Sequence, residues 1–239
     1  MTESVEWLKK ICELNRTVLT EKQIRQLEQY AELLLLANRK VNLISRQDEE
    51  NIWESHILHS LSVIINFQIP YNAKILDIGT GGGLPGVPLK ILRPDLSVLL
   101  LDSIQKKVDA VRAFINDIGL RGTEVVYGRA EDVGKKEEFR KKFDLTISRA
   151  VAPLKNLIKW SKPFLGDSNT NVFMDANQDN VPILLKSPSI LALKGGDIAK
   201  ETAIAQKIFS HSKITVVDIV VEGTNYFKAN AKKAVLVQL

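Results

Sequence analysis

The chain has 239 residues, 45% of them hydrophobic and 26% charged, with a formal net charge of +5; this is the balance of an ordinary globular protein with room for one large domain, or one domain and a small extension. No apolar run approaches the roughly 18 residues of a membrane span, and MTESVEWLKK carries acids where a secretory signal needs a basic and then an apolar stretch, so a cytoplasmic protein with no membrane partner is expected. Cys12 is the only cysteine, which excludes an internal disulfide and any cysteine-based zinc cluster; it reads as a small buried apolar residue.

In chain order, Thr20-Glu-Lys-Gln23 has the form of a capping box, followed by Ile24, Leu27, Tyr30, Leu33 and Leu34 at helical spacing. Ser45-Arg-Gln-Asp48 is a second start signal, and the helix predicted from it carries Ile52, His56, Leu58 and Leu61 and stops before Pro70. Residues 1–70 therefore read as all-helical. From residue 73 the pattern becomes alternating: strands are predicted over 74–79, 97–102, 123–128, 143–148 and 189–196, with helices over 86–92, 104–118, 153–165 and 197–210 between them. Strands near 214–221 and 233–239 follow with no helix expected between them. Continuous apolar strands alternating with helices argue for a parallel sheet covered on both faces, closed here by an antiparallel hairpin: the arrangement of a Rossmann-like methyltransferase. Residues 166–180, rich in Asn and Asp, read as an extended surface loop.

Charge is unevenly spread. Residues 1–70 hold eight basic and ten acidic side chains, a balance of −2, so the remainder carries +7. Much of that excess lies in 106–162, beginning with Lys106 and Lys107; such a flank favours a polyanion through counterion release, and a solvated Lys/Glu surface is the competing reading.

The stretch ILDIGTGGGLPG (75–86) follows the first predicted strand and opens a helix, the place where an open α/β sheet binds its ligand. A phosphate, a dinucleotide and the amino-acid end of S-adenosylmethionine are the candidates. Gly81 to Gly86 satisfies G-x-G-x-x-G and Asp102 lies 21 residues past Gly81, which suits a dinucleotide, although glycine-rich turns match that form easily. Three details favour S-adenosylmethionine. Asp77, inside the strand, can face a cationic amino group but would repel a pyrophosphate; Asp-x-Gly-x-Gly-x-Gly (77–83) is the usual methyltransferase loop; Asp102 can accept both ribose hydroxyls, and Arg129-Ala130-Glu131-Asp132 follows the third strand, where adenine needs polar edges. Val87 stands where a Walker A loop requires lysine.

GTGGGLPGVPLKILRP (79–94), LLDSIQKK (100–107) and FDLTISRAVAPL (143–154), with NLIS (42–45), WESHILHSL (53–61) and ALKGG (192–196), together resemble the RsmG, or GidB, methyltransferases. The resemblance covers about residues 20–165 and 192–196. It implies a class I methyltransferase domain over 71–239 behind a helical N-terminal extension over 1–70, S-adenosyl-L-methionine as cofactor, and methylation of guanine N7 in the 530 loop of 16S rRNA, free or in a small-subunit precursor. It further implies that Gly79 and Leu84, with Gly81 and Asp77, meet the cofactor, that Asp102 holds its ribose, that Ala130 and Glu131 border its adenine, and that Arg149 lies at the cofactor or the RNA. Lys106, Lys107 and Arg149 are the expected RNA contacts, and a monomer is expected. Ser55 and His59 stand where many members have Arg and Asp, and ANAKKAVLVQL at the C-terminus lacks the Arg often found before the last strand.

The chemistry of the candidate reactions separates them. Exocyclic-amine methylation uses an Asn/Asp-Pro-Pro-aromatic motif after the fourth strand, where this chain has Ser148-Arg-Ala-Val-Ala-Pro153. Carbon-5 methylation needs a cysteine nucleophile, and Cys12 lies in the wrong region. Guanine N7 has an in-plane lone pair and no proton to lose, so alignment alone suffices and no general base is expected. Arg149 can read guanine by bidentate hydrogen bonding; a structural ion pair with Asp77 or Glu131 is its alternative role. His56 and His59 have no evident third metal ligand, so helix packing or an RNA-facing role is expected and no metal. His211 has no nameable partner, and Trp7, Trp53 and Trp160 read as core or interface residues. The other readings are a methyltransferase on another RNA or a small molecule, and an NAD-binding regulatory module.

Overall fold

The computed structural model describes residues 3–166 and 182–239. Its N-terminal region is helical: α1 (Glu3–Leu14) and α2 (Glu21–Asn38) are followed by a 3-10 turn (Arg46–Asp48), a π-helical stretch (Trp53–Leu58) and α3 (His59–Asn66). The capping box forms as read, with Thr20 Oγ1 accepting from the Gln23 N–H and Gln23 Oε1 from the Thr20 N–H at 2.8 Å. The one helix predicted after Ser45 is instead broken into three pieces. Wide π turns are uncommon and concentrate at functional positions, and this one carries Ser55 and His56.

The sheet strands are β1 (Lys74–Ile78), β2 (Ser97–Asp102), β3 (Thr123–Tyr127), β4 (Leu145–Arg149), β5 (Ser189–Gly195), β6 (Lys213–Asp218) and β7 (Lys232–Gln238). Between them run α4 (Gly86–Leu92), α5 (Gln105–Ile118), α6 (Ala130–Val133), α7 (Leu154–Ser161), α8 (Ala199–Ile208) and α9 (Tyr226–Ala229). The seven strands lie in the order β3-β2-β1-β4-β5-β7-β6. β1 to β5 are parallel, and β7 inserts antiparallel between β5 and β6. The expected closing hairpin is therefore present, but α9 sits between its strands, a turn of helix too short to give a periodic signal. A two-residue pairing of Phe67–Gln68 with Ile183–Leu184 is likewise absent from the sequence reading. Apart from Gly166, the predicted loop over 166–180 lies outside the described residues.

The central strands are buried on both faces, and β2 shows how the two are divided. Val98 and Leu100 join a core shared with α1 to α5, including Leu27, Leu34, Leu89 and Phe114; Leu99 and Leu101 pack with Ala130, Val133 and Phe164 on the other side. Cys12 is buried in the first of these cores, where burial pushes its thiol up to about 12. Tyr30 of α2 is fully buried, edge-on to Phe114, and its hydroxyl donates to the Gly82 carbonyl at 2.8 Å. The helical region is thus bonded directly to the loop after β1. No helix among the described residues is long and apolar enough to cross a membrane.

Candidate active site

Strand order reverses between β1 and β4, which opens a crevice beyond their carboxyl ends. A cavity of about 760 Å³ occupies it, within the range of small-molecule and cofactor sites. Its walls come from the glycine loop after β1, the ends of β2 and β4, the start of α6 and, from the helical region, residues 43–45 and the π-helical stretch.

The glycine loop begins at Gly79, whose φ of +70° is left-handed and where a Cβ would meet the Val151 side chain at 2.7 Å. Asp102 anchors the loop from the neighbouring strand. Its Oδ2 accepts from the Gly81 N–H at 2.8 Å and its Oδ1 from the Ile104 N–H at 2.9 Å. Each carboxylate oxygen has a second acceptor site, and the Asp102 side chain lines the cavity. Gly79, Gly81, Leu84, Asp102, Lys107, Ala130, Glu131 and Arg149, all singled out in the sequence, line this one cavity.

Asp77 and Lys106 do not line it. Asp77 is fully buried behind the loop, with Oδ2 accepting from Thr80 Oγ1 at 2.7 Å and from the Gly86 N–H at 2.9 Å. Burial raises its pKa to about 6, against the lowering effect of those two bonds. The carboxylate expected to face a cationic ligand instead ties the two ends of the loop together. It does so because the alternation of β1 turns residue 77 toward α4, where Gly86 lets the helix come close. Lys106 is exposed on the first turn of α5, beside Lys107.

Arg149 ends β4 and is followed by Ala150 with a left-handed φ of 54°, so the chain turns sharply at the cavity wall. Its guanidinium pairs with neither Asp77 nor Glu131 among the ion pairs of the described residues. Nη1 donates to the Ser55 carbonyl at 3.2 Å and Nη2 to His56 Nδ1 at 2.8 Å. A guanidinium only donates, so Nδ1 must accept and the proton of His56 sits on Nε2. Burial, then Arg149 and Lys232, push the His56 pKa down to about 3, which keeps that tautomer neutral. Its Nε2 lies 3.7 Å from Asp48 Oδ2, too far for a hydrogen bond. His59 packs edge-on against Tyr226 and Phe227 at 6.3 and 5.8 Å, and burial and Arg149 hold its pKa well below 6.5. Lys232 lies over the Tyr226 ring at 5.3 Å, with its pKa lowered by burial and by Arg149. Among the described residues no group of His, Cys, Asp and Glu is arranged to hold a metal ion.

Asp102 and Glu131 line the cavity together with Lys107 and Arg129, and Arg149 and Lys232 line it together with Asp48. Leu43, Ile44, Trp160 and Tyr226 line it too. Trp160 reads from the sequence as a core or interface residue, and Leu43 and Ile44 fall in the NLIS (42–45) stretch of the resemblance. Nothing in the residues themselves marks these, Asp48, Tyr226 or Lys232 as cavity lining, because they lie far in sequence from the glycine loop. The cavity suits a nucleoside-bearing cofactor: a strand-end carboxylate with free acceptor sites, exposed loop backbone, and apolar walls at Leu84, Leu101 and Ile104.

Residues 23–184 match the family model GidB, rRNA small subunit methyltransferase G. A Ribosomal RNA small subunit methyltransferase G from Moorella thermoacetica is 44% identical over 147 residues, 62% of this chain and 61% of that one. The protein of the same description from Clostridium novyi is 37% identical over 201 residues, 82% of this chain and 81% of its own. Among solved structures, an O-methyltransferase from Bacillus cereus in complex with SAH superposes with a TM-score of 0.53 at 17% identity, covering 89% of this chain and 91% of that one. A SAM-dependent methyltransferase from Aquifex aeolicus gives 0.50 at 12% identity, covering 81% and 97%. These two likenesses concern the fold.

Proposed function

The chain belongs to the GidB family, rRNA small subunit methyltransferase G, and on that premise we propose that it methylates N7 of a guanine in the 530 loop of 16S rRNA with S-adenosyl-L-methionine as donor. The observation that carries the reading is the single cavity that brings Asp102, Glu131 and Arg149 together. When bound, the cofactor supplies an electrophilic methyl group on a sulfonium. Asp102, already fixed by two backbone N–H groups, accepts the ribose hydroxyls with its remaining acceptor sites. Ala130 and Glu131 border the adenine, and Gly79, Gly81 and Leu84 bring backbone and an apolar contact against the amino-acid portion. Asp77 serves the cofactor indirectly, by holding the loop closed.

Arg149 keeps N–H groups beyond those given to Ser55 and His56 and offers them to O6 of the guanine edge, leaving the N7 lone pair free to meet the methyl group. No side chain has to remove a proton. His56 is neutral with Nδ1 already occupied, and Cys12, the only possible carbon-5 nucleophile, is buried in α1 away from the cavity. The protein's task is alignment, which by itself can lower a barrier by several kcal/mol.

Cleavage mapping of N7-methylguanosine in rRNA from cells with and without the protein tests the reading. A modification lost with the protein and restored by wild type, but not by Asp102→Ala, is the expected result; an unchanged rRNA methylation pattern would overturn it. Calorimetric binding of NAD(H) but not S-adenosylhomocysteine would favour the dinucleotide reading instead.

A further inference from the structure

A second concavity, of about 590 Å³, adjoins the first on the helical region. It is formed by Asn38, Arg39, Lys40, Asn42, Ser45 and Arg46, and Ser45 lines both. Arg39, Lys40 and Arg46 are exposed, none takes part in an ion pair found among the described residues, and no carboxylate lines the hollow. The surrounding composition makes this unexpected, since residues 1–70 are net acidic while 39–46 hold three cations and no acid.

The segment that carries them is held in shape. Asn38 is buried, and its Oδ1 accepts from the Leu43 and Ile44 N–H groups at 2.7 and 2.9 Å while its Nδ2 donates to Glu49 Oε1 at 2.6 Å. Leu43 and Ile44 then form part of the cofactor cavity wall. The same short segment thus presents apolar side chains to the cavity and cations beside its mouth. A cation at the C-terminal end of α2 would complement the helix dipole, which accounts for Arg39 but not for Arg46, seven residues further on.

We propose that Arg39, Lys40 and Arg46 bind backbone phosphates of the RNA strand adjoining the nucleotide that enters the cavity. This rests on the rRNA-methylation reading above. It puts a phosphate contact on the helical region, whereas the sequence distribution pointed only to the flank beginning at Lys106 and Lys107. A base delivered to the cavity then has its strand held on the 39–46 side and on the Lys107 side.

The test uses the full chain, a small-subunit rRNA fragment containing the 530 loop, and affinities measured over a salt series. Each lost phosphate contact on single-stranded RNA lowers the slope of log affinity against log salt by roughly 0.7. The variant Arg39→Ala/Lys40→Ala/Arg46→Ala should lose about 2 from that slope, and Arg46→Ala alone about 0.7, with the calorimetric affinity for S-adenosylhomocysteine unchanged in both. Wild-type slope and affinity in the triple variant overturn the assignment while leaving the methylation reading intact. Loss of S-adenosylhomocysteine binding would assign these residues to the cofactor site and overturn it as well. A wild-type protein that binds neither the rRNA fragment nor small-subunit precursor particles overturns both readings together.

Discussion

Arg149 donates to a main-chain carbonyl and to an imidazole nitrogen, and only the second of these can be removed by substitution. His56→Leu leaves the guanidinium short of one acceptor in a buried setting, a loss of about 1.5–3 kcal/mol for a bond to a charged group. We expect kcat/KM for rRNA methylation to fall about 10- to 100-fold. Asn can place its Oδ1 near the position of Nδ1, so His56→Asn should recover most of the loss in the same steady-state assay; equal activity of both variants would show that Arg149 needs no orienting partner. Asp77 gives a second prediction, with a defined sign. Its folded pKa of about 6 lies above the ordinary 3.8, so the native state holds this proton more tightly than the unfolded chain. That contribution is full below about pH 4 and is lost as pH rises through 6. Asp77→Asn cannot titrate. In urea denaturation, the stability of Asp77→Asn relative to wild type should therefore rise by about 2 kcal/mol between pH 4 and pH 7, and a pH-independent difference would contradict the burial of a titrating carboxylate.

The junction of β1, the glycine loop and α4 depends on Gly86, where a Cβ would collide with Leu100 and come within 2.9 Å of Asp77 Oδ2. Gly86→Ala should destabilise the protein by about 1–3 kcal/mol in chemical denaturation. Gly81→Ala meets nothing nearer than the Leu43 carbonyl at 3.8 Å but must adopt a φ of +59°, at about 1–2 kcal/mol. Overpacking and backbone strain can thus be separated within one loop, because only the first should be relieved by a second substitution, Leu100→Ala. This junction was legible in the sequence because its determinants are local: an apolar run, glycines, and an aspartate 21 residues further on that bonds to Gly81. The capping box of α2 was legible for the same reason. The break of the helix after Ser45 was not, since the start signal Ser45-Arg-Gln-Asp48 and the stop before Pro70 mark the ends of the stretch but not where the backbone widens to carry Ser55 and His56. Nor were the partners of Arg149, which lie 94 and 93 residues away, or Tyr226 and Lys232, brought to the cavity by α9 and the final strand. For Asp77 the place in the strand is legible in the sequence, but which way the carboxylate turns depends on how closely α4 approaches.

At the scale of the molecule, the helical region and the sheet share one apolar core and meet again at the loop, where Tyr30 bonds to Gly82. Tyr30 sits in α2 and Gly82 at the cavity wall, so binding there should stabilise both parts together rather than the sheet alone. S-adenosylhomocysteine at about 100 times its dissociation constant adds about 2.7 kcal/mol to a state that alone binds it, which for a chain of this size raises Tm by roughly 5–10 °C. We expect a single thermal transition that moves upward as a whole, and Asp102→Ala to abolish the shift without greatly changing the ligand-free Tm. Tyr30→Phe removes the bond to the loop carbonyl while keeping the ring against Phe114, so it should reduce the coupling and leave most of the shift. The proposed division at residue 70 is tested by the same scan. Two transitions, with only the later one responding to ligand, would mean that residues 1–70 fold as an independent extension. One transition means that the helical region is part of the wall that makes the cavity, and that deleting it would remove ligand binding along with any contact to RNA.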